Sequence, residues 1–174
     1  MSTIEKSTLV SSDAISNTEK LVLSKTDINF CIEYVDEDIV VLRNRSNELD
    51  YSKKSSTVLY HADIPKAILK RFWVQLHGKR NTVLINKNPM DDGGYYWVII
   101  DFEAKFNSKS KMFSFFARRI SPTIATVKEI SKLYQKLQSI EQTMGLEVSE
   151  KYLMRFLKDR KQTFDEYIKE IIKL

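Results

Sequence analysis

His61 and Asp63 lie two residues apart, just ahead of Pro65, and this pair is the first place where the sequence could hold a ligand. A neutral imidazole here can contact a cofactor, serve as an axial haem ligand, or fix the start of a helix. Asp63 has a reading of its own, because an aspartate before a proline-containing first turn is a natural N-cap. Trp73, Tyr96 and Trp97 present π faces that can stack on a planar ring, and each can equally form core by removing a large apolar area from water. Cys31, the single cysteine, falls in a strand-like run and reads as a small buried hydrophobe. The carboxylates Asp91 and Asp92 sit in a turn whose job is to reverse the chain.

The classes of chemistry that leave a local signature are missing. The sequence has no Gly-rich phosphate cradle, no nucleophile elbow and no metal-binding His/Glu pair at helical spacing, so an enzyme is not expected. One cysteine and two histidines fall short of the roughly four N or S ligands of a structural zinc site, and a lone cysteine cannot build a disulfide framework.

Periodicity supplies the elements that must position these residues. Residues 21–25 and 30–35 are strand-like and flank a turn containing Asp27 and Asn29, which predicts a hairpin. Acidic residues 36–38 then precede a short helix over 39–42, and 44–56 read as loop. Ile64, Ile68, Phe72 and Leu76 recur every four residues and predict a central helix that Gly78 can end, with His77 at its polar surface. Strand-like runs at 82–86, 95–102 and 112–118 follow, separated by turn chemistry, and predict three consecutive antiparallel strands. From 121 the period becomes helical: Val127, Ile130, Tyr134 and Leu137 form one stripe up to Gly145. Ser149 can start a second helix, and Thr163 with Glu166 forms a capping-box pattern before a third. The stripe on the first of these helices spans only about two heptads, so docking on the sheet or on a neighbour is favoured over a coiled coil.

This order, ββ then helices then βββ, predicts an α+β domain: a five-stranded antiparallel sheet with short flanking helices and a C-terminal helical extension. Residues 1–20 read as a flexible Ser/Thr-rich leader, 21–120 as the domain and 121–174 as the extension. With 174 residues, 43% hydrophobic and 29% charged, the chain can bury one core. The 28 basic residues are interleaved with 23 acidic ones, so a net charge of +5 concentrates in no stripe and nucleic acid is not an expected partner. Residues 1–17 lack the basic start and apolar run of a signal peptide, and no apolar stretch approaches 18 residues, which suggests a cytoplasmic protein without direct membrane insertion.

Several blocks in order resemble PAS domains of the bacterial aerotaxis-receptor type: Tyr60-His61-Ala62-Asp63-Ile64-Pro65-Lys66, then Phe72-Trp73, Lys87-Asn88, and Asp92-Gly93-Gly94-Tyr95-Tyr96-Trp97-Val98. The resemblance runs over about residues 21–142 and implies the PAS fold, with FAD held between the sheet and the central helix. It also implies redox or energy-taxis signalling, relayed by protein contacts to a chemoreceptor-like or other signalling partner. Residue by residue, His61, Asp63, Trp73 and Asn88 match the cofactor-associated positions, and Trp97 is added as a stacking candidate. The sequence departs from the family pattern at Tyr60, which replaces an arginine and supplies no fixed positive charge, and at Ala62, which replaces a proline. A cofactor-free PAS module for protein interaction or homodimerisation therefore stands as the alternative.

Overall fold

The computed structural model describes residues 22–27, 32–35, 64–89, 95–109 and 112–173. The expectations placed on the leader, Cys31, the short helix at 39–42, the loop at 44–56, His61, Asp63 and the 90–94 turn lie outside the described residues.

Five strands form one antiparallel sheet: β1 (Val22–Thr26), β2 (Ile32–Val35), β3 (Thr82–Pro89), β4 (Tyr95–Phe106) and β5 (Met112–Ile120), in the spatial order β2-β1-β5-β4-β3. The two ends of the sheet are sequence hairpins, and they join through β1 and β5, which pair Ser24 with Ala117 and Thr26 with Phe115. Helix α1 (Lys66–His77) falls between the two hairpins in the chain. Three helices follow: α2 (Ile124–Met144), α3 (Leu146–Asp159) and α4 (Phe164–Ile172).

Side chains alternate across a strand, so register assigns each residue to a face. Thr82, Leu84 and Asn86 lie opposite Phe102, Ile100 and Val98, and Phe102, Ile100 and Ala104 lie opposite Ala117, Arg119 and Phe115. Helix α1 covers this face: its Phe72 meets Phe102 edge-on at 4.8 Å between ring centroids. The four-residue stripe of Ile64, Ile68, Phe72 and Leu76 is buried, as the sequence predicts. Burial of each such side chain contributes about 1.5–3 kcal/mol.

Helix boundaries mostly follow their local signals. Thr123 caps α2 by accepting from the Thr126 amide, and Thr163 with Glu166 forms the predicted capping box of α4. Two expectations need correction. Ser149 does not start a helix; α3 begins at Leu146, and the buried Ser149 hydroxyl faces back to α2, its one proton shared between the Glu141 carboxylate at 3.2 Å and the Leu137 carbonyl at 3.4 Å. Pro65 flanks the start of α1 instead of lying in its first turn, and a proline side chain has no group that can cap an amide. That function falls to a residue far away in sequence: Glu141 of α2 accepts from the Lys66 and Ala67 amides, each at 2.9 Å. Gly78 flanks the end of α1 as expected, but the left-handed turn there is made by Lys79, at φ 58°.

The extension docks rather than projecting away. Its stripe of Ile130, Leu133, Tyr134, Leu137 and Ile140 is buried, and Thr126 ties α2 to α4 through the Ile171 carbonyl at 2.8 Å. Tyr134 donates to the Ile85 carbonyl on edge strand β3 at 2.7 Å. An edge strand carries main-chain groups with no ladder partner, and this hydroxyl satisfies one of them. Among the described residues, no helix is long and apolar enough to cross a membrane.

Candidate functional site

The α1-covered sheet face is the interior of the domain, yet it is not wholly apolar. Ser24, Thr82, Asn86 and Arg119 share it with the aliphatic and aromatic core, and each is buried. A neutral polar group costs free energy when taken from water unless it finds a hydrogen bond, and a charged one costs more. Arg119 donates from Nη1 to the Ser24 hydroxyl at 2.7 Å. The Thr82 hydroxyl has no hydrogen-bond partner among the described residues. Asn86 sits on the central part of β3, opposite Val98, and is fully enclosed. A guanidinium does not lose its proton, so the interior of this domain carries a permanent positive charge.

Arg119 and its neighbour divide cleanly. Arg118 points to the opposite face, is 46% exposed, and pairs with Asp101 at 2.6 Å; Arg119 points inward and is 4% exposed. The pair reads in sequence as two solvated charges, whereas the pleat sends one to each side. The signal that finds Arg119 is the period of two, Phe115, Ala117 and Arg119, carried past the last apolar residue of the run.

The opposite face of the sheet has two halves. Near β3 it is covered by α2, where Trp97 and Tyr134 meet with ring centroids 6.0 Å apart. Farther across, it is a lattice of ion pairs: Arg118 with Asp101 and Glu103, Lys105 with Glu103 at 2.7 Å, and Lys25 with Glu33 at 2.7 Å. The hydrogen bond from Lys105 holds the Glu103 carboxyl below the usual carboxylate range.

No protein-family model matches the sequence. Solved structures do. A light-oxygen-voltage domain probed with a flavin analogue matches with a TM-score of 0.56 at 12% identity, over 67% of this chain and 88% of that one. The PAS domain of the fruit-fly ELK potassium channel matches at 0.51 and 18% identity, over 57% and 85%. This is the PAS fold. A third likeness, to the N-terminal domain of a diguanylate cyclase with a PAS/PAC sensor from Marinobacter aquaeolei, has a TM-score of 0.51 at 12% identity and covers 59% of this chain and 94% of that one.

Within the PAS fold the expected site residues separate. Asn88 lies in β3 opposite Tyr96, two residues beyond the buried Asn86; its side chain, like His61 and Asp63, lies outside the described residues. Trp73 is half-buried on α1, edge-on to Phe72 at 5.3 Å, and packs against the core. Trp97 stands on the other side of the sheet, because five residues along a strand separate it from the inward Phe102. Trp73 and Trp97 therefore do not face one ligand together. Among the described residues, the buried polar side chains on the α1-covered face are Ser24, Thr82, Asn86 and Arg119.

Proposed function

We propose that this PAS-fold chain is a non-catalytic sensory protein that binds FAD between α1 and the sheet and relays redox or energy state to a chemoreceptor-like or other signalling partner. The observation that carries this reading is the buried polar set beneath α1, headed by Arg119. The donors Arg119 and Asn86 and the hydroxyl of Thr82 suit a ligand with several acceptors on a planar ring, which an isoalloxazine has. When bound, a flavin supplies a ring whose charge and protonation change with its redox state. The protein's own part is to hold that ring, exclude water and let hydrogen bonds to its inward side chains rearrange. The blocks around His61, Asp63 and Asn88 support the aerotaxis-type assignment. In this reading Arg119 takes over the positive charge missing at Tyr60.

The test is reconstitution: unfolded and refolded protein is offered FAD and flavin fluorescence is followed, with Arg119→Met beside the unchanged chain. Retention by the unchanged chain and at least about tenfold weaker retention by the variant, the size of a lost charge-assisted hydrogen bond, support the reading.

A second reading, a cofactor-free PAS interaction module, is favoured by one observation. Phe72 and Phe102 are in direct contact across the space between α1 and the sheet, and Leu84 and Ile100 beside them are fully enclosed. In that reading the inward polar set serves packing specificity, and signalling lies in partner contacts or a homodimer. The extension's apolar stripe is already buried within the chain, so such contacts would use another surface.

A further inference from the structure

Two polar side chains seven residues apart on α2 hold two different walls of the candidate site. Tyr134 donates to the Ile85 carbonyl of β3 at 2.7 Å, and Glu141 accepts from the first two amides of α1 at 2.9 Å each. Seven residues return a side chain to nearly the same side of a helix, roughly 10 Å farther along its axis. Ile85 immediately precedes the buried Asn86, and Lys66 opens the helix that covers it. The Glu141 carboxylate also accepts from the Ser149 hydroxyl at 3.2 Å, which brings in α3. Lys70 pairs with Glu150 of α3 at 2.7 Å and Arg71 with Asp165 of α4 at 3.1 Å. Each helix of the extension thus brings one carboxylate to α1, which has no acidic residue of its own.

We infer that α2 is a clamp: Tyr134 and Glu141 together couple the spacing between α1 and β3 to the placement of the C-terminal helices. Apolar contacts tolerate small sliding, whereas hydrogen bonds weaken steeply with angle and distance, so a shift of either wall is felt at the other end of α2. The carboxylate also sits where the α1 dipole favours negative charge, which strengthens that grip. The clamp stands on this geometry alone. Its use by a ligand entering between α1 and β3 rests on the sensory reading.

Hydrogen exchange on the full chain tests it, with Tyr134→Phe, Glu141→Ala and the milder Glu141→Gln, and with Ile130→Val in the core of α2 as a control for general loosening. Tyr134→Phe is expected to speed exchange in the first turn of α1 about threefold or more, the lower end of usual coupling energies, and Glu141→Ala to do the same in β3 around Ile85. Both are expected to loosen α3, and the control to reproduce neither pattern. Changes confined to each variant's own contact, or an equal rise everywhere in all variants, overturn the clamp. Cross-effects that persist while added FAD leaves exchange unaltered keep the clamp and remove the sensory reading.

Discussion

Arg119 and Ser24 meet side chain to side chain at 2.7 Å, joining β5 to β1 on the inward face of the sheet. The contact places a charged side chain from the last strand against a small hydroxyl on the first. Burying a guanidinium is costly unless acceptors surround it, so the residues here must be matched to one another.

Arg119→Met keeps an unbranched side chain about as far as the Nε position and removes the charged guanidinium head that reaches Ser24. Its loss leaves the Ser24 hydroxyl short of a partner, and a decrease of about 1–3 kcal/mol in unfolding free energy is expected from urea titration. Arg119→Lys should recover only part of this, because an ammonium lacks the planar fork. A Met variant within about 0.5 kcal/mol of the unchanged chain, the range of ordinary surface substitutions, would remove Arg119 from this role.

High pH should weaken the docking of the extension. Burial, with Tyr167 nearby, drives the Tyr134 hydroxyl well above the ordinary phenol range, and burial followed by the Glu129 charge pushes Tyr167 up to about 12. In the unfolded chain both titrate near 10, so above that pH the unfolded state binds fewer protons than the folded one and stability falls as pH rises. The contribution is fully present below about pH 10 and declines above it by up to about 1.4 kcal/mol per pH unit for each tyrosine. Tyr134→Phe should flatten this decline in urea midpoints measured between about pH 9 and 11.

Thr163→Ala should cost about 1 kcal/mol, as loss of an N-cap does. The Thr163 amide and hydroxyl reach the Glu166 carboxylate at 2.7 and 2.8 Å and hold its carboxyl below the usual range. That depression makes the cap's contribution present above the ordinary glutamate value near 4.3 and lost as pH falls through the lower folded value. Thermal midpoints at neutral and acidic pH check both parts; equal losses at both would contradict the second.

Lys79→Gly should raise stability by about 1 kcal/mol, since Lys79 holds φ at 58°, a region where a side chain is strained and glycine is not. Arg118→Ala, by contrast, removes an exposed ion pair and should change stability by less than about 1 kcal/mol. Urea midpoints for the two variants are expected to move in opposite directions or, for Arg118→Ala, hardly at all.

Much of the architecture was legible because its signals are local. The stripe of Ile64, Ile68, Phe72 and Leu76 and the capping box of Thr163 and Glu166 each lie within one short window. Strand ends were harder. β4 runs on to Phe106 because the outward Glu103 and Lys105 alternate with the inward Phe102 and Ala104, so a mixed stretch that looks polar is still a strand. The site was less legible than the fold. Trp97 is aromatic in the expected block but has the wrong parity for the α1 face. Arg119 was hidden by Arg118, and the cap of α1 comes from Glu141, 75 residues beyond Lys66, which no local pattern encodes.

Under the proposed function, the inward polar set beneath α1 holds a flavin whose redox state the protein reports, and the measurement to make is the visible absorbance spectrum of freshly purified protein, followed by heat release and chromatographic identification of any chromophore. Flavin bands and released FAD are the predicted result. A colourless protein that also cannot be loaded with FAD would contradict the claim and leave the cofactor-free interaction module as the account of this chain.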